Sequence, residues 1–331
     1  MNVLVLSATA SAINYQKALA SRSDLRLFFT DASPYAASLY GAGVTPLIVP
    51  RARDLAAYRE ALDRIIAENK IDLLIPTSDH DIEGVMELLH SGWNPPVRMF
   101  KPDYAVYRTL THKANLMHAL ERAGLRTIRV YVSPDDVQYP AVVKPAREGG
   151  SKGVWIVQNR KELNDKLTIL RPRFGDDLVM QEFIPGDTGS IYVVLLLYGH
   201  DGKLHGEAAS HSHLTFMTWG GGGNAGSLVD EPAVLEQAKD MVAKLGGWRG
   251  PINLEFKRHS GTGDFYPLEV NCRLNGYSYL HTMNGMNFPA AVVDLLHGKD
   301  PGVLRLRPEQ ELKNFVVGFR EKPVDNWAGH G

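Results

Sequence analysis

Two stretches of this chain hold chemically capable residues at spacings that place them side by side. In INLEFKRHSGTGDFYPLEVNCRLNG, two β-rich runs flank the turn HSGTG. A hairpin centred near Thr262 sets Glu255 opposite Glu269 and Asn253 opposite Asn271, and period-two alternation puts all four on one face. Ile252, Leu254, Phe256, Leu268 and Val270 then share the other face. Carboxylates directly opposite one another repel unless a cation lies between them. Two carboxylates and an amide are hard oxygen ligands, suited to Mg²⁺ shared with the phosphates of a nucleotide. Arg273 has the same parity and would face a transferring phosphoryl group. A solvated sheet face with chance acid pairing would carry the same charges, but asparagine is depleted in strands and stands here at two positions.

The second stretch is PAVVKPAREGGSKGVWIV, which places Lys144 at a strand end, then Glu148, then the loop Gly149, Gly150, Ser151, Lys152 and Gly153, then another strand. Successive glycines let backbone N–H groups turn toward a phosphate, and Lys144 and Lys152 add positive charge. The loop is not a Walker P-loop, because G-K-[ST] is absent and a strand follows instead of a helix. Taken alone, it is equally consistent with an ordinary hairpin loop and a solvated lysine. Between the two stretches lies LVMQEFIPGDTGSIYVV, read as a strand interrupted by Ile-Pro-Gly. Such a break exposes backbone groups able to read an adenine edge, while Gln181, Glu182 or Asp187 could bond the exocyclic amine or the ribose. A surface turn with acids at a sheet edge is the plainer alternative.

HSHLTFMTWGGGGNAG puts His211 and His213 on one strand face, ahead of a glycine run that includes Gly222 and Gly223. A zinc site there would need a third ligand at suitable spacing, and none is identifiable. Trp219, Tyr277 and Tyr279 are candidates to line the same region, although such aromatics also serve as core.

These residues need elements to hold them. The first hundred residues alternate β-rich runs (VLVL, LRLFFT, PLIV, DLLIP) with helical patterns to about Ala20 and from Asp54 to Glu68. That order predicts a parallel sheet covered by helices. Ser7, Asp31 and the cluster Thr77, Ser78 and Asp79 fall at strand ends, where open α/β sheets bind ligands. The first turn, SATASAIN, lacks the glycine fingerprint of a dinucleotide site, which argues against a dehydrogenase. After SGWNPP the pattern changes to a helix over 111–123, strands at IRVYV, AVVK, VWIV, LVMQEF, SIYVVLLLY, GEAASHS, PINLEFK and DFYPLEVN, and helices near 232–245 and 288–296.

The chain has 331 residues, 22% charged and 44% hydrophobic, so two or three packed subdomains are expected. A net charge of -1 gives no electrostatic reason to expect nucleic acid or an anionic membrane as partner. Cys272 is the single cysteine, so an intrachain disulfide is excluded. The opening MNVLVLSATASAINYQ reads as a strand and not a signal peptide, and no run has the length of a membrane span. A cytoplasmic protein acting on small molecules is the expectation.

Taken together, Lys113 in THKANLMHAL, Lys144 in VVKP, the GGSKG loop, QEFIPGD, Glu255 and LEVNCRLNG resemble the ATP-grasp superfamily in order and spacing. DLLIPTSDHDIEGV resembles the P-T-x-x-x-x-E stretch of its carbamoyl phosphate synthase large-subunit-like members, the carboxylate–amine ligase type. The resemblance implies an N-terminal α/β pre-ATP-grasp domain over 1–103, an ATP-grasp small lobe and lid over 104–182, and a large lobe over 183–331. It further implies ATP with Mg²⁺, or Mn²⁺ in its place. Lys113 and Lys144 would contact the α- and β-phosphates, and the loop from Glu148 to Gly153 would close over the γ-phosphate. Adenine would be held by Gln181, Glu182, Phe183 and Ile184, with ribose near Asp187.

Glu255, Glu269 and Asn271 match the metal ligands, and Arg273 matches the arginine that steadies an acyl phosphate. Arg273 and Lys144 are thus the expected catalytic residues. His211, His213, Gly222, Gly223, Arg273, Asn275 and Gly276 would border the acceptor pocket. The implied reaction activates a carboxylate as an acyl phosphate and couples it to an amine, releasing ADP and phosphate, in a chain that could pair as a homodimer. A bicarbonate-using carboxylase and a non-catalytic nucleotide sensor are the alternatives on the same fold.

Overall fold

The computed structural model of the chain describes residues 1–8, 10–217, 220–276, 278–307 and 315–316. In the N-terminal part, β1 (Asn2–Leu6), α1 (Ala10–Leu19), β2 (Arg26–Asp31), β3 (Val44–Ile48), α2 (Leu55–Asn69), β4 (Leu73–Pro76) and α3 (Asp79–His90) follow one another. The four strands pair in the order β3-β2-β1-β4, all parallel, as the alternation of strands and helices predicts. Tyr58, Ala61, Leu62, Ile65 and Ile66 recur at helical spacing and bury one face of α2, and Asp54 caps its start by accepting from Ala57 N–H. Ser78 caps α3 by accepting from Asp81 N–H, which begins the helix directly at the end of β4 and brings Asp79 to the sheet's C-terminal edge.

Next come α4 (Tyr104–Leu110), α5 (Lys113–Arg122), β5 (Val130–Tyr131), β6 (Ala141–Pro145), β7 (Trp155–Val157), α6 (Arg160–Phe174) and β8 (Leu178–Glu182). Strands β5-β8-β6-β7 form a small antiparallel sheet. Leu163, Leu167 and Leu170 of α6 pack on it, joining Val143 and Val157 in a separate apolar cluster.

The remainder is β9 (Ile191–Tyr198), β10 (Leu204–Met217), β11 (Gly220–Val229), α7 (Pro232–Lys244), β12 (Gly250–Arg258), β13 (Phe265–Asn271), α8 (Tyr279–Met283), α9 (Phe288–Leu296) and β14 (Phe315–Val316). Its strands form an antiparallel sheet in the order β13-β12-β9-β10-β11-β14. The run IYVVLLLY is continuously apolar because β9 is central and covered on both sides. Ile191, Val193, Leu195 and Leu197 enter a cluster shared with α9 and the parallel sheet, whereas Tyr192, Val194 and Leu196 enter one shared with α5 and α7. Among the described residues, no helix is long and apolar enough to cross a membrane.

Several expectations change. The helix anticipated over 111–123 is α5, which starts two residues later because His112 leaves helical geometry and its Nδ1 accepts from Asn115 N–H; a separate helix not foreseen, α4, precedes it. Helices α3, α6 and α8 and strand β11 were not foreseen. The segment LVMQEFIPGDTGSIYVV is not one interrupted strand: β8 and β9 belong to different sheets, and Ile-Pro-Gly lies in the crossing between them. Trp219 and Tyr277 lie outside the described residues. Tyr279 sits at the start of α8 under the Lys17 ammonium, 5.5 Å from its ring centroid.

His281 in α8 is fully buried against Phe288, with Nδ1 bonded to Ser278 O and Nε2 without a partner. Burial pushes its pKa from 6.5 down to about 4. The unfolded chain therefore takes up a proton that the native state refuses, so stability should fall as pH drops from about 6.5 to about 4. A loss of about 3 kcal/mol over that window follows from about 1.4 kcal/mol per unit. Urea titrations of the wild-type chain and His281→Asn should show the acid-side loss shrinking in the variant; an unchanged pH slope would assign the sensitivity to other groups.

Candidate active site

The β12–β13 hairpin pairs Glu255 with Glu269 and Asn253 with Asn271, the register anticipated from the turn. A register shift between Glu255 and Phe256 sets Phe256 opposite Pro267 and leaves the polar face intact. That face forms one wall of a cavity of about 610 Å³ bounded by all three sheets. The small sheet contributes Lys144 from β6 and the loop residues Glu148, Gly149, Gly150, Ser151 and Lys152, and Gln181, Glu182, Phe183 and Ile184 line the cavity from the end of β8. Lys113 enters from the start of α5, and Thr77, Ser78 and Asp79 enter from the parallel sheet's edge. Arg273, Asn275 and Gly276 complete the wall beyond β13. Gly153 stands behind the loop with φ +74°, where a Cβ would come within 3.1 Å of Pro145, Leu170 and Phe174.

Charge balance organises the centre. Lys113 Nζ lies 3.3 Å from Glu269 Oε2 and donates to Glu148 O at 2.8 Å, tying the loop to the acidic wall. Asn271 Nδ2 donates to Glu269 Oε1 at 3.3 Å and reaches Glu255 Oε1 at 3.5 Å, partly relieving the acid pair. Burial pushes the Glu255 carboxyl up to about 8, and the opposing Glu269 charge adds to it. Burial acts upward on Glu269 too, but Lys113 and Lys144 outweigh it and hold that carboxyl below its ordinary range. Lys144 is only 5% exposed; burial first and Lys113 second push its pKa down to about 7. The site thus concentrates cations and carboxylates that water hardly reaches, an arrangement costly for folding and suited to binding a polyanion with a cation.

Asp79 was placed at a strand end by the sequence, without a partner. In the fold it grips Arg273 bidentately, with Arg273 Nε donating to Oδ1 at 2.8 Å and Nη2 to Oδ2 at 2.7 Å, across 194 positions of chain. Burial works against the Asp79 charge, but the guanidinium outweighs it and holds the carboxyl below its usual range. A Cβ on Gly149 would lie 3.1 Å from Asp79 Oδ2, so the glycine-rich loop, the parallel sheet and Arg273 meet at one point.

The donor set fits a hard divalent cation held jointly with phosphate. Glu255, Glu269 and Asn271 offer oxygens, and no group of three His, Cys, Asp or Glu able to hold a metal occurs among the described residues, so phosphate oxygens would complete the shell. The cavity also fits a polar ligand: Gln181 Oε1, Asn253 Oδ1 and both amide atoms of Asn275 are buried in lining residues without a hydrogen-bond partner. Each such atom costs about 1–3 kcal/mol unless it is satisfied.

Not every anticipated residue reaches the cavity. On β10, Ser212 lines it and the flanking His211 and His213 take the opposite face, as strand alternation requires. His211 stacks on Tyr192 and bonds to Gly189 O, and His213 bonds to Ser227 Oγ at 2.8 Å, so the histidines turn away from the expected acceptor pocket. Gly222 and Gly223 lie in β11, with Gly223 paired to Thr215. Asp187 lies in the crossing between β8 and β9, where it accepts from Ser190 Oγ at 3.1 Å. Ser7 and Asp31 are absent from the lining; Asp31 accepts from Ala8 and Ser33 N–H and shapes the loop after β1. Cys272 belongs to the apolar cluster packed on the hairpin and touches the cavity wall as well, and burial pushes its thiol well up. Lys257, on the cavity side of β12, went unassigned in the sequence because a lysine in a strand carries no signal of its own.

A family model described as the ATP-grasp domain matches residues 110–277. The chain is 31% identical over 136 residues to a 5-formaminoimidazole-4-carboxamide-1-(beta)-D-ribofuranosyl 5'-monophosphate synthetase of Pyrobaculum arsenaticum, covering 40% of this chain and 37% of that protein. It is 21% identical over 215 residues to a D-aspartate ligase of Enterococcus faecium, covering 58% and 51%. The chain thus spans about half or less of the length of these curated relatives. The crystal structure of an L-amino acid ligase from Bacillus licheniformis superposes with a TM-score of 0.67 at 18% identity, covering 89% of this chain and 74% of that one, a likeness of fold.

If Asp79 and Arg273 act as a unit, a double-mutant cycle of Asp79→Ala and Arg273→Leu should give a coupling energy of about 1 kcal/mol or more in denaturant titrations. Additive effects would show that the two side chains contribute independently.

Proposed function

The chain belongs to the ATP-grasp family, and from that membership we propose that it is an ADP-forming carboxylate–amine ligase acting on an amino acid or a close derivative. The observation that carries this reading is the facing pair Glu255 and Glu269, flanked by Lys113, Lys144 and Arg273 in one cavity under a glycine-rich loop. The relatives whose names specify D-aspartate and L-amino acids support the choice of substrate class. In the reaction a carboxylate oxygen displaces ADP from the γ-phosphorus, and an amine nitrogen then displaces phosphate from the acyl carbon to form the C–N bond.

Each group of residues has one task. Lys113 and Lys144 hold the α- and β-phosphates, and residues 149–153 cover the γ-phosphate and exclude water, which would hydrolyse the intermediate. Glu255, Glu269 and Asn271 bind Mg²⁺, which supplies charge neutralisation to the phosphates when present. Gln181, Glu182, Phe183 and Ile184 receive adenine, and Arg273, oriented by Asp79, faces the carboxylate. Asn275 and Gly276 border the substrate end. The same reading divides the chain into 1–103, 104–182 and 183–331, one part for each sheet.

Glu269→Gln should lower kcat at least about a hundredfold with the far-ultraviolet dichroism unchanged, since one buried charge at a phosphoryl-transfer site has that order of effect. Near-normal turnover would remove the metal assignment. With Mg²⁺-ATP and pools of amino acids, ADP release dependent on a carboxylate, together with hydroxamate formation when hydroxylamine is added, is the expected signature. ATP binding without stimulation by any pool would favour a nucleotide sensor.

A further inference from the structure

His112, Lys113, Arg147, Glu148 and Asp177 close a ring at the base of the glycine-rich loop. His112 caps α5, its Nδ1 accepting from Asn115 N–H at 3.2 Å. A ring nitrogen that accepts cannot also hold the proton, so the imidazole proton sits on Nε2 and is donated to Asp177 Oδ1 at 2.9 Å. Asp177, the residue before β8, also meets Arg147, whose Nε lies 3.8 Å from Oδ2. The backbone repeats the connection: Asp177 O accepts from Ala146 N–H at 3.0 Å, and Ala146 O accepts from Lys113 N–H at 3.0 Å. Lys113 Nζ then donates to Glu148 O at 2.8 Å, which completes the ring.

Lys113, Arg147 and Glu148 line the cavity, whereas His112 and Asp177 do not. The loop over 149–153 springs from Glu148, and Lys113 Nζ stands 3.3 Å from Glu269 Oε2 only because α5 begins where it does. Asp177 therefore touches the residue before the lysine and the residue before the loop's first anchor. Its side chain is 54% exposed, so the pair with His112 adds little to the stability of the fold. Its leverage lies in alignment: phosphate donors held in place beforehand bind more tightly than donors that must be ordered on association.

We infer that Asp177, acting through His112 and Arg147, is a positioning residue that holds Lys113 and the loop over 148–153 in register for a triphosphate, an inference that rests on the ATP reading above. The carboxylate itself touches no phosphate.

Two measurements on the full chain test this. Hydrogen exchange followed by mass spectrometry should be faster in Asp177→Ala than in the wild type in peptides covering 113–117 and 147–153 together, with β9 unchanged. Calorimetry with the Mg²⁺ complexes of ATP and of tripolyphosphate should show Asp177→Ala binding both about fivefold more weakly, the upper range for one partly exposed pair. His112→Asn keeps a capping side chain that is too short to bond Asp177 as well, so it should lose the same factor. The double variant should then lose no more than either single change. Thermal melts establish that each variant is folded. Faster exchange in neither segment or in one alone, wild-type affinity in Asp177→Ala, a loss for ATP but not tripolyphosphate, or losses that multiply in the double variant would each overturn the positioning role and leave the ATP site standing. A wild-type chain that binds neither ligand would overturn the ATP reading, and this inference with it.

Discussion

Two carboxylates facing one another across a hairpin set the terms for the rest of the molecule. Glu255 and Glu269 are paired by backbone register, so they cannot move apart without breaking the β12–β13 ladder. Buried together they are compatible with folding only if positive charge and hydrogen bonds gather around them. The fold brings these from separate places: Lys113 from the start of α5, Lys144 from the small sheet, and Asn271 and Arg273 from the continuing strand. The excess of unpaired polar capacity that remains is the property a nucleotide site requires.

This constraint explains why three sheets converge. The six-stranded sheet supplies the acidic wall, and its central strand β9 is apolar on both faces so that it can join the two main clusters. The parallel sheet reaches the same cavity through Asp79, which takes the fork of Arg273 and stands against Gly149. The glycine-rich loop is tied down at Glu148 by Lys113, which also touches Glu269. One lysine therefore links loop and acidic wall, and one aspartate binds the arginine beside the loop from the first sheet. Movement of the loop must be felt at both points.

Much of this was legible beforehand. Hairpin register is set by the turn and by alternation, both local, so the facing of Glu255 with Glu269 and of Asn253 with Asn271 could be read from spacing. The parallel sheet followed from alternating periodicities, and the loop after Lys144 from its glycines. Helix α6 was missed because its three leucines are spread through a strongly polar run, and β11 because glycine carries no strand signal. The histidines on β10 were correctly read as sharing a face, but which face meets the cavity is decided by pairing with β9, where Ile191 and Val193 also point inward.

The sequence by itself determined the local geometry: which residues share a strand face, which lie in a turn, and that two acids in one hairpin need a cation. Tertiary structure alone decided which distant groups answer that need. Asp79 meets Arg273 across 194 positions, and Lys257 is left without an acceptor because neighbouring strands bury it. The physical reason is range. Backbone periodicity and turn chemistry act over a few residues and leave a trace in composition, whereas ion pairing and desolvation depend on distances that exist only after the sheets have packed.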